Sequence, residues 1–150
     1  MKIKGWREPA HSPKLAVDII IVKGNKILLL KRQIRPFKGK LCYPAGMVEY
    51  CEMVEQSAVR EAKEETGLKI RLKEILGVYS FPKRDPRFHT ISTVFIAEPI
   101  AGRIKSSFEG KVKWYDVKKI KFENLGFDHA KILRDYITWR KKKGTYWSTK

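Results

Sequence analysis

One helical stretch constrains this chain more than any other part of its sequence. It ends with Arg60-Glu-Ala-Lys-Glu-Glu-Thr-Gly-Leu68, in which the glycine is a helix stop signal. Within it Glu61 and Glu65 lie one turn apart. They project at nearly the angle of Val54 and Ala58, which should face the core. Carboxylates near the buried side of a helix need a cation or a basic partner among them, so the spacing predicts a hard-metal site.

The fixed residues around this helix also follow a known pattern. It reads glycine, five residues, glutamate, seven residues, Arg-Glu, a small or apolar residue, any residue, Glu-Glu, any residue, glycine, and an apolar residue. The chain matches it at Gly46, Glu52, Arg60, Glu61, Ala62, Glu64, Glu65, Gly67 and Leu68. The sequence therefore resembles the Nudix hydrolases over roughly Lys14 to Arg140. The resemblance implies an α/β fold, the Nudix α/β/α sandwich with a mixed β-sheet between helices.

Carboxylates without a nearby histidine or cysteine favour Mg²⁺, with Mn²⁺ as the alternative, over zinc. Such ions bridge phosphate chains, so the reaction class is metal-assisted phosphoryl or nucleotidyl transfer to water. The resemblance implies that Glu61 and Glu65 are metal ligands and that Glu64 is a further ligand or an outer-shell group. It also implies that a backbone carbonyl at Ala45 or Gly46 supplies another oxygen.

The resemblance implies supporting and proton-transfer roles as well. Arg60 would orient the glutamates through ion pairs, or else form only a surface pair within the helix. Glu52 would hold the preceding loop against the helix, or else be a helix-start carboxylate favoured by the dipole. Nudix enzymes take their general base either from a box glutamate or from an acidic residue on a distant loop. Glu109 is the first loop candidate and Asp85 the second, with a solvated carboxylate as the alternative for each.

Substrate predictions depend on two basic loops. Pro82, fifteen residues past Gly67, resembles a proline of the ADP-ribose pyrophosphatase branch. Arginines suit phosphate oxygens and aromatic rings suit adenine, although solvated turns and core packing are the alternatives. The substrate-binding candidates are Arg32, Arg35, Lys38, Phe81, Pro82, Arg84, Arg87 and Phe88. His89 and His129 are interpreted as a strand residue and a helix-start contact rather than catalysts.

The predicted activity is Mg²⁺-dependent hydrolysis of a nucleoside diphosphate linked to another group, first of all ADP-ribose, to AMP and ribose 5-phosphate. The enzymatic alternative is a nucleoside triphosphate or dinucleoside polyphosphate pyrophosphohydrolase with the same metal site. The alternative of another class is an RNA-binding protein on a Nudix scaffold, which would use the basic end at Arg140-Lys-Lys-Lys143. Because relatives often dimerise, a homodimer is a further expectation.

Composition limits the partners. The formal net charge of +17 favours anions, and we interpret it as a field that steers phosphorylated substrates, with RNA less favoured. Scarce Asn and Gln beside abundant Lys, Glu and Ile are typical of proteins from hot environments. No apolar run reaches the ~18 residues of a membrane span, and no signal-peptide pattern is present, so we expect a cytoplasmic protein without a membrane partner. Cys42 and Cys51 are expected to be free thiols.

The remaining pattern predicts a single domain, 1–150, with an N-terminal arm at 1–13 and a basic tail at 141–150 interpreted as a solvated helix end. Alternation, turn residues and helical spacing define its elements. The predicted elements are a hairpin of strands 14–22 and 26–31, a short strand 41–43, a helix from about Met53 to Thr66, a strand 68–72 continuing with breaks to 77–81, strands 88–97 and 112–117, and a final helix with Asp128 as its N-cap.

Overall fold

A computed structural model describes residues 11–150, so most of the predicted N-terminal arm lies outside the described residues. The strands are β1 (Lys14–Lys23), β2 (Lys26–Arg32), β3 (Leu41–Cys42), β4 (Ala45–Met47), β5 (Leu68–Tyr79), β6 (Thr90–Gly102), β7 (Gly110–Asp116) and β8 (Tyr146–Trp147). The helices are α1 (Val54–Thr66) and α2 (His129–Lys141). Neither of these helices is long and apolar enough to cross a membrane.

Strand β1 is the hub of the sheet. It pairs in parallel with β6 from Lys14 to Ile21 and antiparallel with β4, where Asp18 lies opposite Ala45. Its antiparallel pairing with β2 is limited to the turn, at Val22 and Lys23, because β6 and β4 occupy the two edges of β1 before the turn. Strand β2 pairs over its whole length with β7. The predicted hairpin is therefore confirmed, but its strands diverge beyond the turn. The main path through the mixed sheet is β3-β2-β1-β6-β5-β8.

Two apolar cores lie on the two faces of this sheet. Ile19 and Ile21 of β1 pack in the core that contains Ala58 and Ala62 of α1. Ile20 belongs to the other core, to which α2 contributes Ile132, Leu133 and Tyr136. Because successive side chains of a strand alternate between faces, β1 is covered on both sides and its sequence is almost continuously apolar. This layering confirms the predicted α/β/α sandwich.

Helix α1 begins and ends close to the predicted residues. Met53 is its N-cap residue, and the Gln56 side chain accepts a hydrogen bond from the Met53 backbone N–H at 3.0 Å. Gly67 ends the helix in the left-handed conformation with φ of 77°, and its N–H donates to the carbonyl of Lys63. A Cβ atom at Gly67 would lie 2.5 Å from the carbonyl oxygen of Arg103. The glycine is thus required both by its φ angle and by the close approach of the backbone.

Other element boundaries differ from the predictions. Strand β5 is continuous where breaks were predicted, with irregular register between Leu72 and Glu74 and between Ile75 and Gly77. Strand β6 extends five residues beyond the predicted end, because its last part pairs with the start of β5. Asp128 is at the N-cap position of α2 but makes no side-chain capping hydrogen bond. Both cysteines are free, which confirms the prediction for them.

The C-terminal segment was interpreted as a solvated helix end, which holds for the exposed residues 140–143 but not for those that follow. Helix α2 ends at Lys141, and β8 then pairs in parallel with β5 through Gly77 and Val78. Beyond β8, the Ser148 hydroxyl accepts hydrogen bonds from the backbone N–H groups of Ser80 at 2.8 Å and Phe81 at 3.1 Å. The segment therefore covers the outer edge of β5 and fixes the start of the loop that follows.

The contact between β5 and β8 gives a first prediction. A Cβ atom at Gly77 would overlap the backbone of Tyr146, so Gly77→Ala should lower the free energy of unfolding by about 1–3 kcal/mol. Gly144→Ala is the matched control, because its nearest neighbour would be a Tyr146 ring atom at an ordinary 3.7 Å. The control should stay within about 0.5 kcal/mol of the parent protein. Denaturant unfolding measures both, and equal stability of the two variants would contradict the role of β8.

Candidate active site

A cavity of about 380 Å³ brings together many of the predicted site residues. Those that line it are Arg32, Ala45, Gly46, Glu61, Glu65, Arg84, Asp85, Arg87 and Glu109. Arg35 and Lys38 instead border a neighbouring groove that also reaches Arg87. The cavity wall does not include Glu52, Arg60, Glu64, Phe81 or Pro82. Most of the predicted acidic and basic residues thus meet in one cavity, whereas the predicted aromatic residue Phe81 does not line it.

Arg60 ties the loop before α1 to the helix. Its Nε and Nη2 atoms donate to the two carboxylate oxygens of Glu52, at 2.8 and 2.9 Å. Its Nη1 atom donates to Glu61 at 2.6 Å, and Nη2 also donates to the Met47 carbonyl at 3.0 Å. The hydrogen bonds from Arg60 lower the pKa of Glu52 to about 2. Glu64 lies at the edge of this arrangement, 3.4 Å from Arg60, with 59% of its side chain exposed.

Three carboxylates crowd one side of the cavity, those of Glu61, Glu65 and Glu109. Glu65 is buried, and its Oε2 atom accepts a hydrogen bond from the Ala45 backbone N–H at 2.9 Å. Burial, followed by the adjoining Glu109 carboxylate, raises the pKa of Glu65 well above its ordinary value. Burial also raises the pKa of Glu61, although Arg60 opposes this. A positive charge among these groups would relieve their repulsion.

Gly46 makes the approach of Glu61 possible. A Cβ atom at this position would overlap the carboxylate of Glu61, which lies directly against the backbone of β4. Any larger residue would displace that carboxylate from the cavity wall. The predicted glycine is therefore needed for space, since it is not among the glycines with positive φ.

The residues suit a divalent metal ion by their ligand chemistry, although their side chains are not arranged around one coordination centre. Within residues 11–150, no three histidine, cysteine or acidic side chains are gathered so that they could hold a metal ion. Glu61 is engaged by Arg60, and Glu65 by the Ala45 N–H. The donor set is nevertheless all oxygen and crowded with negative charge, which is what Mg²⁺ and Mn²⁺ favour. Binding would require the two glutamates to exchange part of these contacts for the ion.

A buried ion-pair network forms another part of the wall. The Oδ2 atom of Asp18 accepts hydrogen bonds from Arg84 Nη2 at 2.9 Å and Ser92 Oγ at 2.6 Å. Its Oδ1 atom lies 3.0 Å from Nε2 of His129, whose Nδ1 accepts the backbone N–H of Tyr43 at 3.1 Å. Burial alone would raise the pKa of Asp18, but Arg84 and His129 hold it well below its ordinary value. Because Nδ1 accepts a hydrogen bond, we assign the His129 proton to Nε2.

Arg84 was predicted to bind phosphate, and the structure engages it elsewhere. Its side chain is only 5% exposed and donates to Asp18, to Thr90 and twice to Asp128. This pair with Arg84 also explains why Asp128 does not cap α2. Four of the five N–H groups of this buried guanidinium are therefore engaged in the network, which leaves one Nη1 N–H for any other partner. Arg84 therefore has a structural role in the cavity wall, and its substrate-binding role stays a prediction.

Arg87, three residues further on, remains available to the cavity. Its side chain is 43% exposed, and Nε and Nη2 donate to Asp85 at 3.0 and 2.8 Å. Asp85 also accepts the backbone N–H of Arg87 at 2.9 Å. Since both carboxylate oxygens of Asp85 are engaged, this second candidate for the general base is already occupied as a partner of Arg87.

Asp18 and Phe127 are among the wall residues that the sequence did not predict. Phe127 lines the cavity, whereas the predicted Phe81 lies on the surface. Asp18 also lines it, and its signal was available as a lone acid in an otherwise apolar strand. Such a residue needs a buried partner. Phe127 gave no comparable signal, because an aromatic residue before a helix is ordinary.

Comparisons with known proteins agree with this fold. A model of the NUDIX domain matches residues 12–136. An ADP-ribose pyrophosphatase of Methanocaldococcus jannaschii is 49% identical over 139 residues, which cover 92% of this chain and 80% of that protein. An uncharacterized Nudix hydrolase of Bacillus subtilis is 34% identical over 69% of this chain and 66% of its own length. The crystal structure of a NUDIX hydrolase from Nitrosomonas europaea has a TM-score of 0.83 at 27% identity, covering 96% of this chain and 82% of that one.

The Asp18 network gives a second prediction. Asp18→Asn removes a buried charge that faces Arg84, so the free energy of unfolding should fall by about 3 kcal/mol. Glu98→Gln is the control, because it removes an acid of the same sheet whose pair with Arg71 is exposed and should change stability little. Chemical unfolding at pH 7 measures both variants. A similar small loss for the two would show that the buried charge is not needed.

Proposed function

This chain belongs to the Nudix hydrolase family, and from that premise we propose that it hydrolyses ADP-ribose to AMP and ribose 5-phosphate. The observation that carries the proposal is the composition of one cavity. It presents the carboxylates of Glu61, Glu65 and Glu109 together with the guanidinium groups of Arg32 and Arg87. A diphosphate needs both a cation-binding acidic cluster and direct basic partners. The 49% identity to an ADP-ribose pyrophosphatase supports this choice among diphosphate substrates.

In the proposed site, Glu61 and Glu65 hold a divalent cation, Mg²⁺ or Mn²⁺, with a carbonyl oxygen of Ala45 or Gly46. When bound, such an ion neutralises phosphate charge and makes water more acidic. Arg60 fixes the direction of the Glu61 carboxylate through the 2.6 Å ion pair. The Ala45 N–H fixes one oxygen of Glu65 by its 2.9 Å hydrogen bond. Glu64, which lies at the exposed edge, has at most an outer-shell role.

We assign the general base to Glu109. Its side chain contacts Glu65 at the cavity, and its carbonyl oxygen accepts the Gln33 N–H at 2.8 Å, which fixes the loop before β7. A carboxylate in that place would take a proton from the attacking water. Asp85 instead holds Arg87. The box glutamate Glu65 is the remaining alternative, because its burial raises its pKa.

Arg32 and Arg87 bind phosphate oxygens in this proposal, and the net charge of +17 attracts the substrate over longer distances. Arg35 and Lys38 border the neighbouring groove, where they extend the same positive field. The single domain spanning 1–150, the homodimer and the cytoplasmic location stay predictions. RNA binding also stays a less favoured prediction.

The third prediction tests the reaction and the metal site. With Mg²⁺, the protein should release AMP and ribose 5-phosphate from ADP-ribose. Glu65→Gln should lower kcat by about 10²-fold or more, because the cation that compensates the charge developing on the phosphate loses a ligand. Glu55→Gln is the control, since Glu55 is an exposed glutamate of the same helix. Chromatographic product analysis and circular dichroism of each variant measure activity and folding.

The same assay decides between the alternative functions. Rapid turnover of a nucleoside triphosphate or a dinucleoside polyphosphate, without AMP release from ADP-ribose, would contradict the proposed substrate. Full activity of Glu65→Gln would show that the metal ligands are misassigned. Salt-sensitive RNA binding without any hydrolysis would favour the binding protein.

The fourth prediction separates the two loop acids. Glu109→Gln should lower kcat by about 10²–10⁴-fold with a smaller change in KM, because it removes proton transfer. Asp85→Asn should raise KM with a smaller change in kcat, because it releases Arg87 from its partner. Steady-state kinetics of both variants with ADP-ribose provides the comparison. The reverse pattern would assign the base to Asp85.

A further inference from the structure

Two phenylalanines beside the cavity have an unusual backbone conformation. Phe37 and Phe127 have φ angles of 63° and 50°, a left-handed region that disfavours side chains with a Cβ atom. Glycine adopts this region without strain, and the chain has Gly39 and Gly126 close by. Phenylalanine is nevertheless present at both strained positions. Strain of this kind collects at functional sites, where a particular side chain is needed.

The two rings pack against each other, and the chain is built to permit it. Their centroids are 4.6 Å apart, with the ring planes tilted by 54°. At Gly126, a Cβ atom would lie 2.9 Å from Cys42 Sγ and 3.0 Å from the Cβ of Phe37. These distances are too short for a real side chain. Gly126 is thus the residue that allows Phe37 to approach Phe127.

The ring of Phe127 contacts two of the three arginines that line the cavity, Arg32 and Arg87. The guanidinium carbon of Arg32 lies 5.3 Å from its centroid, and that of Arg87 lies 5.9 Å away. Both distances are within the range of cation–π attraction. Arg87 has other supports, namely Asp85 and the ring of Phe88 at 5.1 Å. Arg32 depends on the Phe127 ring and on one hydrogen bond from its Nε to the Pro36 carbonyl at 2.8 Å.

These contacts bring two positive charges together, of which only one is paired with a carboxylate. Two guanidinium groups share one ring, and Asp85 pairs with one of them. Among the described residues, Arg32 has no carboxylate within ion-pair distance. Like charges held together at a cavity wall favour an anion between them, and guanidinium groups match phosphate oxygens.

We propose that Phe37 and Phe127 are positioning residues that hold Arg32 and Arg87 as a clamp on the diphosphate of the substrate. This inference rests on the proposed function, because it names how that same cavity selects a nucleoside diphosphate. Phe37 supports the Phe127 ring, and the Phe127 ring fixes the two guanidinium groups. The strained backbone at both positions is retained because a ring is required there.

The fifth prediction concerns the kinetics of ring variants. Phe127→Leu and Phe37→Leu keep an apolar side chain but remove the π face, so KM for ADP-ribose should rise about 10-fold with kcat within about twofold. Phe127→Tyr should restore the parent KM. Phe122→Leu is the matched control, because Arg134 lies 4.7 Å from the Phe122 ring and neither residue lines the cavity. Its KM should not change.

A double variant tests whether the Phe127 ring changes KM through Arg32. Since Arg32 has fewer other supports than Arg87, Phe127→Leu should have little further effect on KM in an Arg32→Ala background. A full additional increase in KM in that background would contradict the clamp. A lower Tm for Phe127→Leu with unchanged KM would also overturn it, because the ring would then be merely structural.

A binding measurement separates failure of the clamp from failure of the proposed reaction. Calorimetry with ADP and no divalent metal should show Kd about 10-fold weaker for Phe127→Leu and unchanged for Phe122→Leu. If ADP-ribose is hydrolysed but neither KM nor ADP affinity changes in Phe127→Leu, the clamp is wrong and the reaction stands. If ADP-ribose is not hydrolysed but Phe127→Leu weakens ADP binding, the reaction is wrong and the clamp stands. Absence of ADP binding to the parent protein would also overturn the clamp.

Discussion

The charge of Asp18 determines how three parts of the chain are arranged around the cavity. A carboxylate buried in β1 is tolerated only with basic and hydrogen-bonding partners, and it obtains them from Arg84, Ser92 and His129. Arg84 fixes the loop after β5, and His129 fixes the start of α2. Through the Tyr43 N–H, His129 also fixes the chain that enters β4. One side chain thus connects the loops that surround the proposed metal ligands.

The acidic side chains on the other side of the cavity have fewer partners. Asp18 has a partner for each oxygen, whereas Glu61, Glu65 and Glu109 crowd together around fewer donors. Arg60 faces one of them, but most of its donors are directed to Glu52 and to the backbone. The negative charge left over is not required by the fold, since apolar residues would pack there at lower cost. Incomplete compensation beside a fully compensated network therefore supports the proposal that this part of the cavity binds a cation.

Local patterns predicted those elements whose boundaries depend on local chemistry. Helix α1 and the β1–β2 hairpin were found from apolar periodicity, the Gly67 stop and the turn residues. The extents of β5 and β6 were not, because a strand continues as long as a neighbour accepts its hydrogen bonds. Strand β8 was missed for the same reason. Its two residues carry no pattern, and only the space left by Gly77 permits the pairing.

The arginines show which difference within the site the local sequence does not reveal and which distant residue sets it. Arg84 and Arg87 are the same residue type, three positions apart on one loop, so nothing local distinguishes them. The difference is set by Asp18, 66 residues away in sequence. A lone acid in an apolar strand nevertheless requires a buried cation from somewhere in the chain. One basic residue of the surrounding loops is therefore engaged by the fold, and of the three arginines on the cavity wall Arg32 and Arg87 are the two outside this buried network.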